Sequence, residues 1–164
     1  WPHFKAIHVT VSLDGTGKLF NYFRTDGDYD TVLKNIAEAA PMVDSFLFVC
    51  TTSAYHAFYM NEIYNDFQEI KKMIPNNKVN IRTTFVHWPQ ALDIVNLEED
   101  TKEEILNELV VNDFTAEFAQ RLKGKRTLSI WDPDKFKELV RLQDELYDVS
   151  CEHLVPKIWN YIWK

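Results

Sequence analysis

Glycine is scarce in this chain, with four residues among 164. So low a content argues against a loop-rich protein or a β-sandwich, both of which need glycine at many turns. Cysteine is scarcer still. Cys50 and Cys151 stand far apart and neither belongs to a C-x-x-C pair, so neither a structural zinc site nor a dithiol redox pair is indicated. Two free thiols in a reducing cytoplasm are the expectation. Basic residues are also few: 18 Lys and Arg face 25 Asp and Glu, for a net charge of −7 and a pI near 5.2. An acidic surface repels phosphate backbones, which argues against nucleic-acid binding. No apolar run approaches the roughly 20 residues of a membrane helix. The start, Trp1-Pro2-His3-Phe4-Lys5, has no signal-peptide pattern and runs directly into a strand, so further residues are expected to precede Trp1 in the natural protein.

What is abundant is core material. Hydrophobic residues make up 46% of the chain, with eleven Phe, seven Tyr and five Trp, enough for one domain spanning residues 1–164. Phe4–Leu13 alternates, with Lys5, Ile7, Val9 and Val11 on one face and Ala6, His8, Thr10 and Ser12 on the other, the period of a strand. Asp14-Gly15-Thr16-Gly17 breaks it. A short helix is expected over Lys18–Arg24, then an amphipathic one with Tyr29, Val32, Leu33, Ile36 and Ala40 on one face, closed by Pro41.

The unit then repeats. Ser45–Thr52 reads as a buried strand, followed by a helix from about Phe58 to Ile74. Lys78–His87 reads as a third strand, ending at Trp88-Pro89 and followed by a loop of about a dozen residues that carries Leu92, Ile94 and Leu97. The remainder is helical: Thr101–Leu122 with a break near Asn112 and a capping box at Thr101-x-x-Glu104, a helix opened by Asp132-Pro133 and running to Tyr147, and an aromatic end with Trp159, Tyr161 and Trp163. The fold class is therefore α/β, three consecutive parallel βα units followed by C-terminal helices. Consecutive right-handed units put their helices on a single face. The other face, with His8, Thr10, Ser12, Thr52 and Thr84, is expected to be open, as in the second half of a curved, incomplete barrel.

Several residues could carry chemistry. Asp14-Gly15-Thr16-Gly17 is either a plain turn or a loop beside a cofactor, and it lacks the phosphate-loop pattern G-x-G-x-x-G. Arg24 is either an anion-binding residue or a surface ion-pair partner of Asp26 and Asp28. Ser12 is either a turn residue or a contact to a ligand. His8 and His56 have no metal-ligand spacing and read as rim or core histidines. Asp14 and Asp93 could form a carboxylate pair at neighbouring strand exits, as in a hydrolase, or merely cap turns. The aromatic end reads as packing against the barrel bottom or a dimer mate.

Val9-Thr10-Val11-Ser12-Leu13-Asp14-Gly15, followed by Phe23-Arg24 and by a helix carrying Val32-Leu33-Lys34-Asn35-Ile36, resembles the fourth strand and helix of radical S-adenosylmethionine proteins of the twitch- or SPASM-bearing type. Thr51-Thr52-Ser53-Ala54-Tyr55 with Met60-Asn61-Glu62-Ile63 is similar to their fifth-strand exit and the helix after it. His87-Trp88-Pro89 with Leu92-Asp93-Ile94 is similar to the sixth-strand exit, and Leu142-Gln143-Asp144-Glu145-Leu146 to Val155-Pro156 resembles the terminal helices. In order, these segments cover nearly the whole chain.

The resemblance implies the second half of a partial (β/α)6 barrel that binds S-adenosylmethionine and a [4Fe–4S] cluster at its mouth. It also implies that Ser12 and Arg24, with Asp14 beside them, contact the polar part of the cofactor. The chain departs from the family in lacking C-x-x-x-C-x-x-C and Gly-Gly-Glu-Pro. Its two separated cysteines cannot hold a four-iron cluster. His56 stands where members often have Asn, and Tyr147-Asp148 replaces a common Arg-Gly. The expectation is that this chain alone holds no metal, binds no cofactor and is inactive, with its catalytic residues unassigned. Its expected partner is a missing first half or another chain at the exposed sheet edge, a second copy included. The alternative is a non-catalytic binding or assembly module that uses the open sheet face.

Overall fold

The computed structural model describes residues 3–24, 26–75, 78–125 and 133–163. Its strands are β1 (His8–Ser12), β2 (Ser45–Thr52) and β3 (Lys78–Phe85), joined in one parallel sheet in the order β1-β2-β3. Helices α1 (Gly17–Phe23) and α2 (Tyr29–Ala39) connect the first two strands, and α3 (Met60–Met73) connects the next two. After β3 come α4 (Glu99–Glu108), α5 (Ala116–Leu122), α6 (Pro133–Tyr147), α7 (Cys151–Leu154) and α8 (Pro156–Ile162). The chain is an α/β protein, and none of its described helices is long and apolar enough to cross a membrane.

The register decides which side chains share a face. His8 pairs with Ser45 and Ser45 with Lys78, so His8, Thr10 and Ser12 lie on one face with Leu47, Val49 and Thr51 and with Asn80, Arg82 and Thr84. These residues are exposed or half-buried. The opposite face carries Phe46, Phe48 and Cys50 of β2, all fully buried or nearly so. On it Phe67 of α3 lies 5.9 Å from Phe48 and 5.6 Å from Phe114, ring to ring. The open face expected from the alternation exists, with one correction. Thr52 is fully buried on the helix-covered face, because counting from Ser45 gives the even positions to that side; Thr51 takes the open position.

Three other expectations shift. The Thr101-x-x-Glu104 box does not cap a helix: α4 starts two residues earlier, with Glu98 at its cap, and Thr101 is buried in the first turn. The segment around Leu92 and Ile94 is two 3-10 turns rather than a plain loop. The aromatic end packs at the strand-exit end of the sheet rather than the opposite one, since Tyr161 rests 5.3 Å from Phe58, just ahead of α3. Trp159 and Trp163 stack on each other, i to i+4, at 4.1 Å. Pro133 does open α6, and Asp132 lies outside the described residues.

Helix α6 crosses to the strand exits and is tied there. Tyr22 of α1 donates its hydroxyl to Asp144 at 3.0 Å, and Gln143 donates its amide to the Tyr22 carbonyl at 3.0 Å. Burial, with Asp144 close by, pushes the Tyr22 phenol far above its ordinary range, so it remains a donor. Phe136 meets Tyr55 edge to face at 4.9 Å.

The turn after β1 needs its first glycine. Gly15 has φ of +89°, and a Cβ there would stand 2.9 Å from the Leu19 side chain. Gly15→Ala is expected to cost at least about 1–2 kcal/mol in urea unfolding. A substitution without effect would show that the turn re-forms at no cost.

Candidate functional site

All three parallel strands deliver residues to one cavity at their carboxyl-terminal ends. Asp14 comes from the exit of β1; Thr51, Ser53, Tyr55 and His56 come from the end of β2 and the turn after it; Val86 follows β3. Phe23 and Arg24 at the end of α1, Leu92, and Leu139 and Gln143 of α6 complete the wall. The cavity measures about 320 Å³.

Asp14 organises the entrance. Its Oδ1 accepts from the Thr51 N–H at 3.0 Å, which ties the exits of β1 and β2 together. Its Oδ2 accepts from Arg24 Nη2 at 2.5 Å. Arg24 thus pairs with Asp14 and not with Asp26 or Asp28. Its side chain remains 43% exposed, so this ion pair is worth little for stability. Ser12 lies two residues back on the open sheet face and does not line the cavity. Asp14 and Arg24 are therefore brought together, while Ser12 stands outside the cavity wall.

His56 is the core histidine of the two considered. Its Nδ1 accepts from the Ser53 N–H at 3.1 Å and contacts the Ser53 hydroxyl at 3.0 Å, while Ser53 in turn receives the main-chain N–H of His56, a reciprocal capping box. Phe23 stacks on the ring at 4.9 Å. Burial lowers the His56 pKa to about 4, overcoming the opposing pull of the Asp14 carboxylate and main-chain oxygen. Nε2 is buried and has no partner in hydrogen-bonding geometry. His8 is exposed and bonded through Nδ1 to the Ser45 hydroxyl at 2.7 Å.

A second polar cluster follows β3. Buried Asp93 accepts from Arg121 Nη2 at 2.6 Å, from the Val95 N–H at 3.2 Å and lies 3.1 Å from His87 Nδ1. Asp14 and Asp93 are thus each engaged by their own arginine rather than by each other. A shared-proton dyad requires two carboxylates in contact, and this arrangement does not supply one. Cys50 and Cys151 are both free and fully buried, and burial raises each thiol to about 12, which leaves them inert.

The sequence pointed to Asp14 and Arg24 through the S-L-D-G stretch and the aromatic-Arg pair. It did not point to His56 as a cavity residue, although Ser53-x-x-His56 carries a capping-box spacing with histidine in the glutamate position. Leu139 and Gln143 arrive from more than a hundred residues beyond Asp14 and Arg24, and neither was marked as a cavity residue, Gln143 having stood only in the terminal-helix resemblance. Comparison with protein-family models, curated proteins and solved structures gives no match.

Proposed function

We propose that this chain is the second half of a radical S-adenosylmethionine enzyme, a half-barrel whose strand-exit cavity holds part of the cofactor. The observation that carries the reading is the convergence of Asp14, His56 and Val86, from three consecutive parallel strand exits, on one cavity. Ligands of parallel α/β sheets bind at this edge. Arg24 has guanidinium N–H groups beyond the one given to Asp14, and these suit a carboxylate, while Phe23 and Tyr55 give apolar walls.

The iron–sulfur cluster does not fit the described residues. No group of three or more His, Cys, Asp or Glu among them could hold a metal, and both cysteines are sealed in the core. Cluster ligands therefore belong to residues outside this chain, and no step is assigned to the chain alone. With a cluster supplied, the cofactor would provide radical hydrogen abstraction. The role left to these residues is to hold the cofactor's polar end, through Asp14 and Arg24, and to wall the cavity.

The test is anaerobic reconstitution, with iron and sulfide, of this chain joined to the residues preceding Trp1 in its reading frame. Expected are a cluster absorbance on the longer protein, none on the 164-residue chain, and reductive release of 5′-deoxyadenosine that Arg24→Ala lowers about tenfold. A stoichiometric cluster on the short chain, or no clustered cysteines upstream, would overturn the reading.

A second reading is favoured by the sheet face that is uncovered and the edges of β1 and β3 that are unpaired among the described residues: a non-catalytic module that docks a protein there. Light scattering separates this from a lone monomer.

A further inference from the structure

We propose that Gln143 and Asp144 of α6 are positioning residues for Arg24: together they fix Tyr22, and through it the main chain that carries Phe23 and Arg24 to the strand-exit cavity. The inference rests on the reading that Arg24 holds the polar end of the cofactor, and it adds to that reading the residues on which the placement of Arg24 depends.

Helix α1 does not fix its own end. It has seven residues, and so short a helix has little stability by itself. The carbonyls of its last turn have no partner within the helix. Two neighbouring residues of α6 supply what is missing. Gln143 donates its amide to the Tyr22 carbonyl at 3.0 Å, and Asp144 accepts from the Tyr22 hydroxyl at 3.0 Å. One residue is thus held both at its main chain and at the tip of its side chain, which sets the rotation of the last turn as well as its position. Tyr22 is only 1% exposed, so its hydroxyl has no water to replace Asp144.

Asp144 is itself oriented. The Cys151 main-chain N–H lies 3.0 and 3.1 Å from its two carboxylate oxygens, and the Val149 N–H donates to its carbonyl at 3.2 Å. The turn from α6 into α7 therefore aims the carboxylate. On the other side of Tyr22 the effect passes to the cavity wall. Phe23 stacks on His56 at 4.9 Å and meets Tyr55 edge to face at 5.0 Å, and the Arg24 N–H donates to the Phe20 carbonyl at 3.0 Å. The half-exposed ion pair with Asp14 holds the Arg24 guanidinium only weakly, so its placement relies on the chain that leads to it. A group that grips a polar ligand has to be held to within about 0.5 Å by its supports.

The variants are Tyr22→Phe, which removes the hydroxyl and keeps the ring, and Asp144→Asn, which keeps a side-chain oxygen to receive it. In the chain joined to its upstream residues, release of 5′-deoxyadenosine is followed against S-adenosylmethionine concentration. Tyr22→Phe is expected to raise KM about fivefold and to leave kcat within about twofold, the signature of a lost binding orientation; Asp144→Asn should stay within about twofold of the wild-type KM. A role in stability alone would lower the thermal midpoint and leave KM in place. In the 164-residue chain labelled with ¹⁵N-arginine, Tyr22→Phe is expected to shift the Arg24 main-chain and Nε signals, and Asp144→Asn to shift them less. An unchanged KM, unmoved Arg24 signals, or Asp144→Asn no better than Tyr22→Phe would overturn the proposal. Should Tyr22→Phe not fold, Gln143→Met, which removes the donor to the Tyr22 carbonyl, is read by the same Arg24 signals. A failed cluster reconstitution removes the family reading, and the Arg24 signals then decide the positioning alone. A cluster that forms beside unmoved Arg24 signals keeps that reading and removes the positioning.

Discussion

Phe67→Ala is expected to lower the unfolding free energy by about 3–5 kcal/mol, the cost of removing a fully buried phenylalanine. Phe67 is inaccessible to solvent and stands between the sheet and the segment joining α4 to α5, touching Phe48 on one side and Phe114 on the other. That segment is also bonded to the sheet through the Thr83 hydroxyl, which donates to the Phe114 carbonyl at 3.2 Å. The truncation therefore leaves a cavity at a junction of three elements and removes two aromatic pairs, each worth about 0.5–1.5 kcal/mol beyond its area. A domain of this size has a total stability of about 5–15 kcal/mol, so the loss is a large fraction of it. Urea unfolding followed by circular dichroism should show a midpoint lower by at least about 1 M with an unchanged slope. Phe4→Ala, at a side chain 69% exposed, should shift stability by less than about 0.5 kcal/mol. Similar effects from both variants would mean that the layer around Phe67 is not packed as described.

Acid should weaken the fold through His56. Its folded pKa of about 4 lies below the ordinary 6.5, so between those values the unfolded chain binds a proton that the folded chain refuses. Stability is then greatest above about pH 6.5, falls as pH drops through the window, and stops falling from this cause once pH is below about 4. The sign follows from the neutral form being the buried one; a raised pKa would give the opposite slope. The loss across the window is about 3 kcal/mol. The cause is local: a charged imidazole would lose its water and, with Nδ1 protonated, would point a donor at the Ser53 N–H. His56→Gln removes the titrating group, so its stability should vary less than that of the wild type over the same range. The other four histidines, His3, His8, His87 and His153, are exposed and present in both proteins, so they cancel in the comparison. Parallel pH profiles for the two proteins would show that His56 does not titrate as its burial requires.

Much of the fold was legible because strands advertise themselves by local alternation. His8 to Ser12 alternates in character, Ser45 to Thr52 is a run of aromatic and β-branched residues, and turn residues bound each unit, so three parallel βα units followed without any knowledge of contacts. Strand phase and long-range distance are not local properties. The Thr52 hydroxyl suits an open face, yet strand phase is fixed by neighbours, and Phe46, Phe48 and Cys50 carry it inward. Thr101-x-x-Glu104 has the spacing of a cap, but α4 begins two residues ahead of it and buries Thr101. The candidate site divides along the same line. Asp14 and Arg24 are ten residues apart in sequence and could be suspected together. Asp14 and Asp93 could be named as a pair, but nothing local reveals that Arg24 and Arg121 hold them separately.

By itself, then, the sequence determined the class of the protein: an acidic α/β chain, rich in aromatics, with three parallel strands and one polar sheet face. These properties follow from composition and from side-chain periods of two and 3.6, which any local stretch displays. The tertiary structure decided that the strand exits meet in one cavity, that α6 crosses from the far end of the chain to wall it, and that His56 is sealed beside it with one nitrogen unpaired. Those outcomes depend on which distant residues exclude water from one another, and no local pattern encodes that.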